Sequence, residues 1–98
     1  MIREVKILPE AVSDITEAYR WYENKAKGLG LEFVRAVDAR LDFIRRNPLA
    51  SSPIHKDARR ILLRRFPYGL YYLVEDEWIA VLACFHARRD PALLRSRR

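Results

Sequence analysis

A chain of 98 residues that is 50% hydrophobic and 33% charged, with 3 Gly and 5 Pro, has the composition of a compact globule. That excludes a disordered, collagen-like or low-complexity chain and leaves room for one domain, residues 1–98. The net charge of +6 points to an anionic partner without choosing among nucleic acid, membrane surface and acidic protein. It is also uneven, since residues 1–50 carry 9 basic and 8 acidic side chains and residues 51–98 carry 10 and 5.

Residues 2–8 alternate apolar and charged side chains, the pattern of a half-exposed strand. Charges at Arg3, Glu4 and Lys6 stand where a signal peptide needs its hydrophobic stretch, so a cytoplasmic protein with no membrane partner is expected. Pro9 and Glu10 suit a helix entrance, although Leu8 is a poor cap. Ala11, Ile15, Ala18, Tyr19 and Tyr22 then recur at helical spacing until Gly28 interrupts. A second amphipathic helix after Gly30 aligns Phe33, Val37, Leu41 and Ile44 and ends at Asn47-Pro48, which makes an antiparallel helical hairpin. Glu23 with Lys27 and Asp42 with Arg46 fall at i, i+4 and read as a solvated face.

Residues 49–57 read as a loop, followed by three β-rich runs at 58–65, 69–75 and 78–86. Glu75, Asp76 and Glu77 supply a hairpin turn between the last two. The third run, apolar at both parities, predicts a strand with neighbours on both sides and both faces. Residues 91–98 predict one helical turn around Leu93 and Leu94, ending in Arg95, Arg97 and Arg98. The whole is an α+β fold: an N-terminal strand, a two-helix hairpin, a three-stranded antiparallel meander and a short tail. The helices cover one sheet face and the other is left available.

Arg59, Arg60, Arg64 and Arg65 lie in one strand-like run, which by alternation puts Arg60 and Arg64 on one face and Arg59 and Arg65 on the other. His86, Arg88 and Arg89 follow the last strand. Guanidinium forks bind phosphate or carboxylate, so this cluster suits a nucleic-acid backbone or an acidic protein segment; solubility alone is the bland alternative. Phe66, Tyr68, Tyr71 and Tyr72 beside arginine would suit base stacking, but alternating aromatics in strands normally pack a core, and Trp21 and Trp78 also default to packing. The single Cys84 cannot close an internal disulfide; with His86 it would form a nucleophile–base pair only across ~6.5 Å, too far for a hydrogen bond. His55, Cys84 and His86 lack zinc-like spacing, and no phosphate loop, G-x-S-x-G or H-E-x-x-H occurs, so neither metal nor cofactor is expected. His86 reads equally as a functional and as a structural histidine.

In their order and spacing, these features resemble the RelE/ParE superfamily of bacterial type II toxin-antitoxin toxins. The resemblance rests on Ala11-Val12-Ser13-Asp14-Ile15, Trp21-Tyr22, Gly28-Leu29-Gly30 with Phe33, and Asn47-Pro48. Most specific are Arg64-Arg65-Phe66-Pro67-Tyr68 with Tyr71-Tyr72, and His86-Ala87-Arg88-Arg89-Asp90-Pro91, which look like ParE-type signatures. The resemblance implies a small toxin neutralised by an acidic cognate antitoxin, together in a hetero-oligomer. Arg60, Arg64, Arg65, Tyr68, His86, Arg88 and Arg89 are the residues expected to bind target or antitoxin. It implies one of two targets: DNA gyrase, bound without cleavage chemistry, for ParE-type members, or messenger RNA cleaved in the ribosome for RelE-type members. In the second case Arg60, His86 and Arg89 would be catalytic. Laid along this chain, the RelE pattern finds arginine at Arg60 and Arg89, but Leu62, Gly69 and Arg95 stand where two basic residues and a tyrosine belong. Those replacements remove acid–base capacity and favour the ParE-like branch.

Overall fold

The computed structural model describes residues 3–97; Ile2 of the predicted first strand and Arg98 of the tail lie outside the described residues. Strand β1 (Glu4–Ile7) leads into helix α1 (Pro9–Lys25) and helix α2 (Leu29–Arg46). Strands β2 (Pro53–His55), β3 (Ala58–Leu62), β4 (Tyr68–Val74) and β5 (Trp78–His86) follow, and the chain closes with a 3-10 helix, Pro91–Arg97. The sheet order is β1-β5-β4-β3-β2. The α+β architecture and the β3–β4–β5 meander agree with the sequence, and β5 is interior, between β1 and β4.

Three features differ. First, the expected loop at 49–57 contains β2, which pairs with β3 around a two-residue turn; Lys56 accepts a left-handed φ of 52° there. Second, β1 pairs with β5 in parallel, Glu4 opposite Trp78 and Ile7 opposite Val81, so the sheet is mixed. The α1–α2 hairpin supplies the crossover that a parallel connection requires. Third, the sheet face away from the helices is not left open, because the 3-10 helix lies on it and buries Leu94.

Alternation along β4 divides the core between the faces. Leu70 and Tyr72 pack toward the helices with Phe33, Val37 and Ile44. Tyr71 and Leu73 pack toward the tail with Ala58, Phe85 and Leu94. In β5 the alternation slips: Ile79, Val81 and Cys84 face the helices, whereas Leu82, Ala83 and Phe85 all join the tail-side cluster. The cause is a bulge, with Tyr71 opposite Ala83 and Tyr72 opposite Val81, so Leu82 is the extra residue.

The helical hairpin is closed by a device that spacing alone did not reveal. The Glu23 carboxylate, expected on a solvated face with Lys27, accepts the backbone N–H of Gly28 (3.1 Å) and of Gly30 (3.0 Å), groups at the start of α2 that would lack helical partners. Gly28 sits at φ 89°, which suits glycine. At Gly30, inside α2, an added Cβ would lie 2.8 Å from the Tyr19 ring and its carbonyl oxygen, so glycine permits the close helix crossing. Asp42 pairs with Arg46, as its spacing suggested, and with Arg45 at 2.8 Å; hydrogen bonds from Arg45 and then Arg46 hold its carboxyl below the usual range.

Candidate functional site

The site forms where α1 and the C-terminal end of β5 diverge. β1 stops short: the Leu8 N–H donates to the Val81 carbonyl (3.0 Å), and beyond that point no strand of the described residues covers the outer edge of β5. Between this edge and α1 lies a groove of about 500 Å³. Asp14, Glu17, Trp21 and Tyr22 form its α1 wall, and Tyr68, Cys84, His86 and Arg89 its sheet wall.

The aromatic wall is built from the core outward. Tyr22 stacks on Phe33 with ring centres 5.3 Å apart and meets Phe66 edge-on at 4.9 Å, while Tyr68 meets Phe33 at 5.3 Å. The Phe66-Pro67-Tyr68 turn therefore serves first as packing, with Tyr68 carrying the aromatic surface on into the groove. Trp21 corrects the packing expectation, for it is 54% exposed; so does Trp78, 41% exposed beneath the Lys6 ammonium at the opposite end of β5.

The His86 and Tyr68 ring centres lie 5.4 Å apart across register-paired residues. His86 Nδ1 accepts the Arg88 N–H (3.1 Å), which assigns the ring hydrogen to Nε2 in the neutral form. The Arg89 guanidinium lies 4.4 Å from the centre of the Phe85 ring and reaches the groove. Cys84 is no nucleophile here: burial, and then the nearby Asp14 carboxylate, push its thiol up to about 12. Burial raises the Tyr22 and Tyr68 phenols too, with the Cys84 thiol adding to both.

The candidate arginines separate into two groups. β3 ends at Leu62 and Arg65 takes a left-handed φ of 70°, so the alternation expected for 58–65 stops before Arg64 and Arg65. Both stand in the turn before β4, where Arg65 pairs with Glu32 of α2 at 2.8 Å and Arg64 is exposed. The Ala87 N–H donates to the Pro67 carbonyl (2.8 Å), which ties this turn to the segment carrying Arg88 and Arg89. Four arginines thus gather at the end of the sheet that holds the groove. Arg60 does not join them. Paired with Tyr71 on the tail-side face, its stem crosses Gly69, where an added Cβ would lie 3.1 Å from Arg60 Cγ and 3.2 Å from Leu62 Cδ2. Arg59 instead hydrogen-bonds the Ser51 carbonyl.

Sequence reasoning missed Asp14 as a site residue. Its carboxylate accepts the Cys84 N–H (3.0 Å) and a two-pronged contact from Arg97, 2.5 and 3.1 Å, while Arg97 also donates to the Leu82 carbonyl (3.2 Å). The two side chains thereby engage the Cys84 N–H and the Leu82 carbonyl on the β5 edge that β1 leaves bare. A signal was present, since Asp14 falls at helical spacing between Ala11 and Ala18, both buried, and a carboxylate on a buried stripe requires a partner. The partner, 83 residues onward, had no local signature.

Among the described residues no three of His, Cys, Asp and Glu gather as metal ligands, and no helix is long and apolar enough to cross a membrane. The chain is similar to known proteins over most of its length. The family model for the ParE toxin of the type II toxin-antitoxin system parDE matches residues 5–91. Toxin ParE2 of Mycobacterium tuberculosis is 32% identical over 92 residues, spanning 93% of this chain and 88% of that one. Among solved structures, the chromosomal ParDE system from P. aeruginosa aligns with a TM-score of 0.75 at 20% identity, covering 87% of this chain and 96% of that one. The RelBE2 toxin-antitoxin complex from Mycobacterium tuberculosis aligns at 0.60 and 18% identity, covering 88% and 99%. At those identities the two structures speak for the fold, while the family model and the sequence relative speak for kinship: the chain belongs to the ParE toxin family of type II toxin-antitoxin systems.

Proposed function

We propose that this ParE-family toxin arrests growth by binding DNA gyrase without cleaving a covalent bond, and that an acidic cognate antitoxin neutralises it by filling the groove between α1 and the end of β5. The observation that carries the non-hydrolytic reading is the packing around Gly69. Where a ribonuclease of the RelE type needs proton donors and acceptors, this chain has the aliphatic Leu62 and a glycine crossed by the Arg60 stem. A phosphodiester transition state needs general acid–base groups and neutralisation of developing charge at one place; Arg60 lies over Gly69 on the tail-side face, whereas His86 stands beside Tyr68 in the groove.

The groove suits an acidic peptide better than a bare phosphate. Trp21, Tyr22 and Tyr68 line it with aromatic surface, Arg89 is its one arginine, and of its two carboxylates, Asp14 and Glu17, the first is already engaged by Arg97. The toxin and toxin-antitoxin names of the similar proteins support an antitoxin as a partner. Both partners place the working protein in the cytoplasm.

Purified protein added to gyrase should inhibit supercoiling, and undiminished supercoiling at saturating protein would reject that target. Codon-positioned cuts of message in a translating extract, abolished by Arg60→Ala, would establish the ribonuclease reading in its place. For the antitoxin, Arg89→Glu should raise the dissociation constant of the purified complex at least tenfold; an unchanged constant would move the interface elsewhere.

A further inference from the structure

The C-terminal 3-10 helix Pro91–Arg97 crosses the tail-side face, touching β5 on one side and β2 on the other. Its own geometry supports it weakly, because 3-10 hydrogen bonds are poorly aligned and runs of this length are uncommon. Asp90 starts it, its carboxylate accepting the Ala92 N–H (2.9 Å) and its carbonyl the Leu93 N–H (3.1 Å). Leu94 alone is fully buried, while neighbouring Leu93 is 46% exposed. The far end is fixed by Arg97, which grips Asp14 and lies 4.8 Å from the centre of the Phe85 ring. Both members of this ion pair are largely buried, with side chains 16% and 11% exposed.

The layer beneath is imperfectly satisfied. Among the described residues the Tyr71 hydroxyl and His55 Nε2 are buried without a hydrogen-bond partner. Tyr71 belongs to the cluster that Leu94 closes, and His55 stands opposite Ala58 of the same cluster. A buried polar atom left unpaired opposes the state that buries it, and exposure to solvent relieves it. One leucine and the side chain of Arg97, through Asp14, the Leu82 carbonyl and the Phe85 ring, therefore hold the segment down over a layer that contains two unpaired polar groups.

We propose that Pro91–Arg97 is a releasable strap, latched by the Arg97–Asp14 ion pair, whose opening bares the tail-side face from Tyr71 to Phe85 while the rest of the fold stays intact. The latch has a second consequence. Asp14 also lines the groove, so a cationic side chain brought there by an occupant competes with Arg97 for the same two oxygens. Groove and strap share one carboxylate and are thereby coupled. The strap itself rests on contacts within this chain and stands whatever partner or target the groove proves to have.

Native-state hydrogen exchange on the full chain tests this. In the wild type, the amides of Leu94, Arg95 and Ser96 should exchange through an opening at least tenfold more frequent than that of β4 and β5, and insensitive to low denaturant. Arg97→Met, which retains an apolar stem over Phe85 and removes the latch, should speed strap exchange at least tenfold further and leave β4 and β5 within twofold. Asp14→Asn should act in the same direction. Strap amides that exchange only with global unfolding in the wild type would overturn the proposal, as would an Arg97→Met variant that accelerates β4 and β5 as much as the strap. The wild-type measurement decides the matter even if neither variant folds.

Discussion

The two faces of the sheet are closed by unequal means. On one, helices of 17 and 18 residues lay down a continuous aromatic and aliphatic core, and Tyr22, Phe33, Phe66 and Tyr68 touch edge to face. On the other, seven residues with one buried leucine complete the cover, and a single ion pair ties them down. The contrast separates two kinds of stability. The helix side stores enough burial to hold an open groove at its edge, whereas the tail side is closed by a contact that one carboxylate controls.

The largest expected effect tests the first half of that contrast. Phe33 is wholly buried and meets three other rings, so Phe33→Ala should cost about 3–5 kcal/mol of folding stability, the range for deleting a buried aromatic. Equilibrium urea denaturation reads it directly. A loss below about 1 kcal/mol would mean that the helix side is not where the stability resides.

Alkaline pH probes the same side next. The Cys84 thiol is raised from 9.0 to about 12, chiefly by burial, and the Tyr22 and Tyr68 phenols are raised as well. A group whose folded pKa exceeds its unfolded value stabilises the fold fully below the unfolded pKa and loses that contribution as pH climbs to the folded one. Stability should therefore fall between pH 9 and 12 with a Cys84 slope of up to about 1.4 kcal/mol per pH unit. Cys84→Ala should flatten that slope and leave the tyrosine part. Thiol alkylation at pH 8 should be slow in the folded protein, and rapid labelling would contradict the buried, protonated sulfur.

The unequal faces also explain what the sequence could disclose. Periodicity and punctuation located both helices and all of β5, because these elements bury long stripes whose pattern survives in the residues themselves. β2 escaped because Pro53, Ile54 and His55 are too few to show alternation, and the parallel β1–β5 pairing escaped because register between distant strands has no local trace. The arginines at 64 and 65 were misassigned to faces because the left-handed turn at Arg65 ends the strand early, and neither glycine nor asparagine marks it. The groove was half visible, through Tyr68, His86 and Arg89. Its other wall, Asp14, Glu17, Trp21 and Tyr22, lies along a helix whose periodicity reports packing and not the groove beside it.

Leu94→Ala addresses the thinner face. Deleting a fully buried leucine side chain ordinarily costs about 2–5 kcal/mol, but here the loss should stop near the low end, at about 2 kcal/mol. Once the strap opens, the remaining fold no longer depends on the missing methyl groups, so the strap's own opening free energy limits the effect. Thermal denaturation gives the global loss, and trypsin cleavage after Arg95 should rise in parallel. A loss of about 4 kcal/mol without faster cleavage would show the tail to be an integral part of the core.

The smallest effect sharpens the contrast from the helix side. Glu23 reaches from α1 to the first amides of α2 and joins the two helices, much as Asp14 joins α1 to the tail, yet what it holds cannot leave separately. Glu23→Ala leaves the Gly28 and Gly30 N–H groups to water and should cost about 1 kcal/mol, the usual worth of a lost cap, or about 4–8 °C in melting temperature for a domain of this size. Glu23→Gln keeps an acceptor oxygen but removes the charge at the helix N-terminus, and should lose roughly half as much. The decisive reading is the distribution of the loss. Because α2 cannot detach without opening the Phe33 core, amides in α1, α2 and β5 should speed up together in Glu23→Ala, whereas the latch variants should speed up the strap alone. Fraying confined to the first turn of α2 would instead assign Glu23 a local role and make the helix hairpin as separable as the tail.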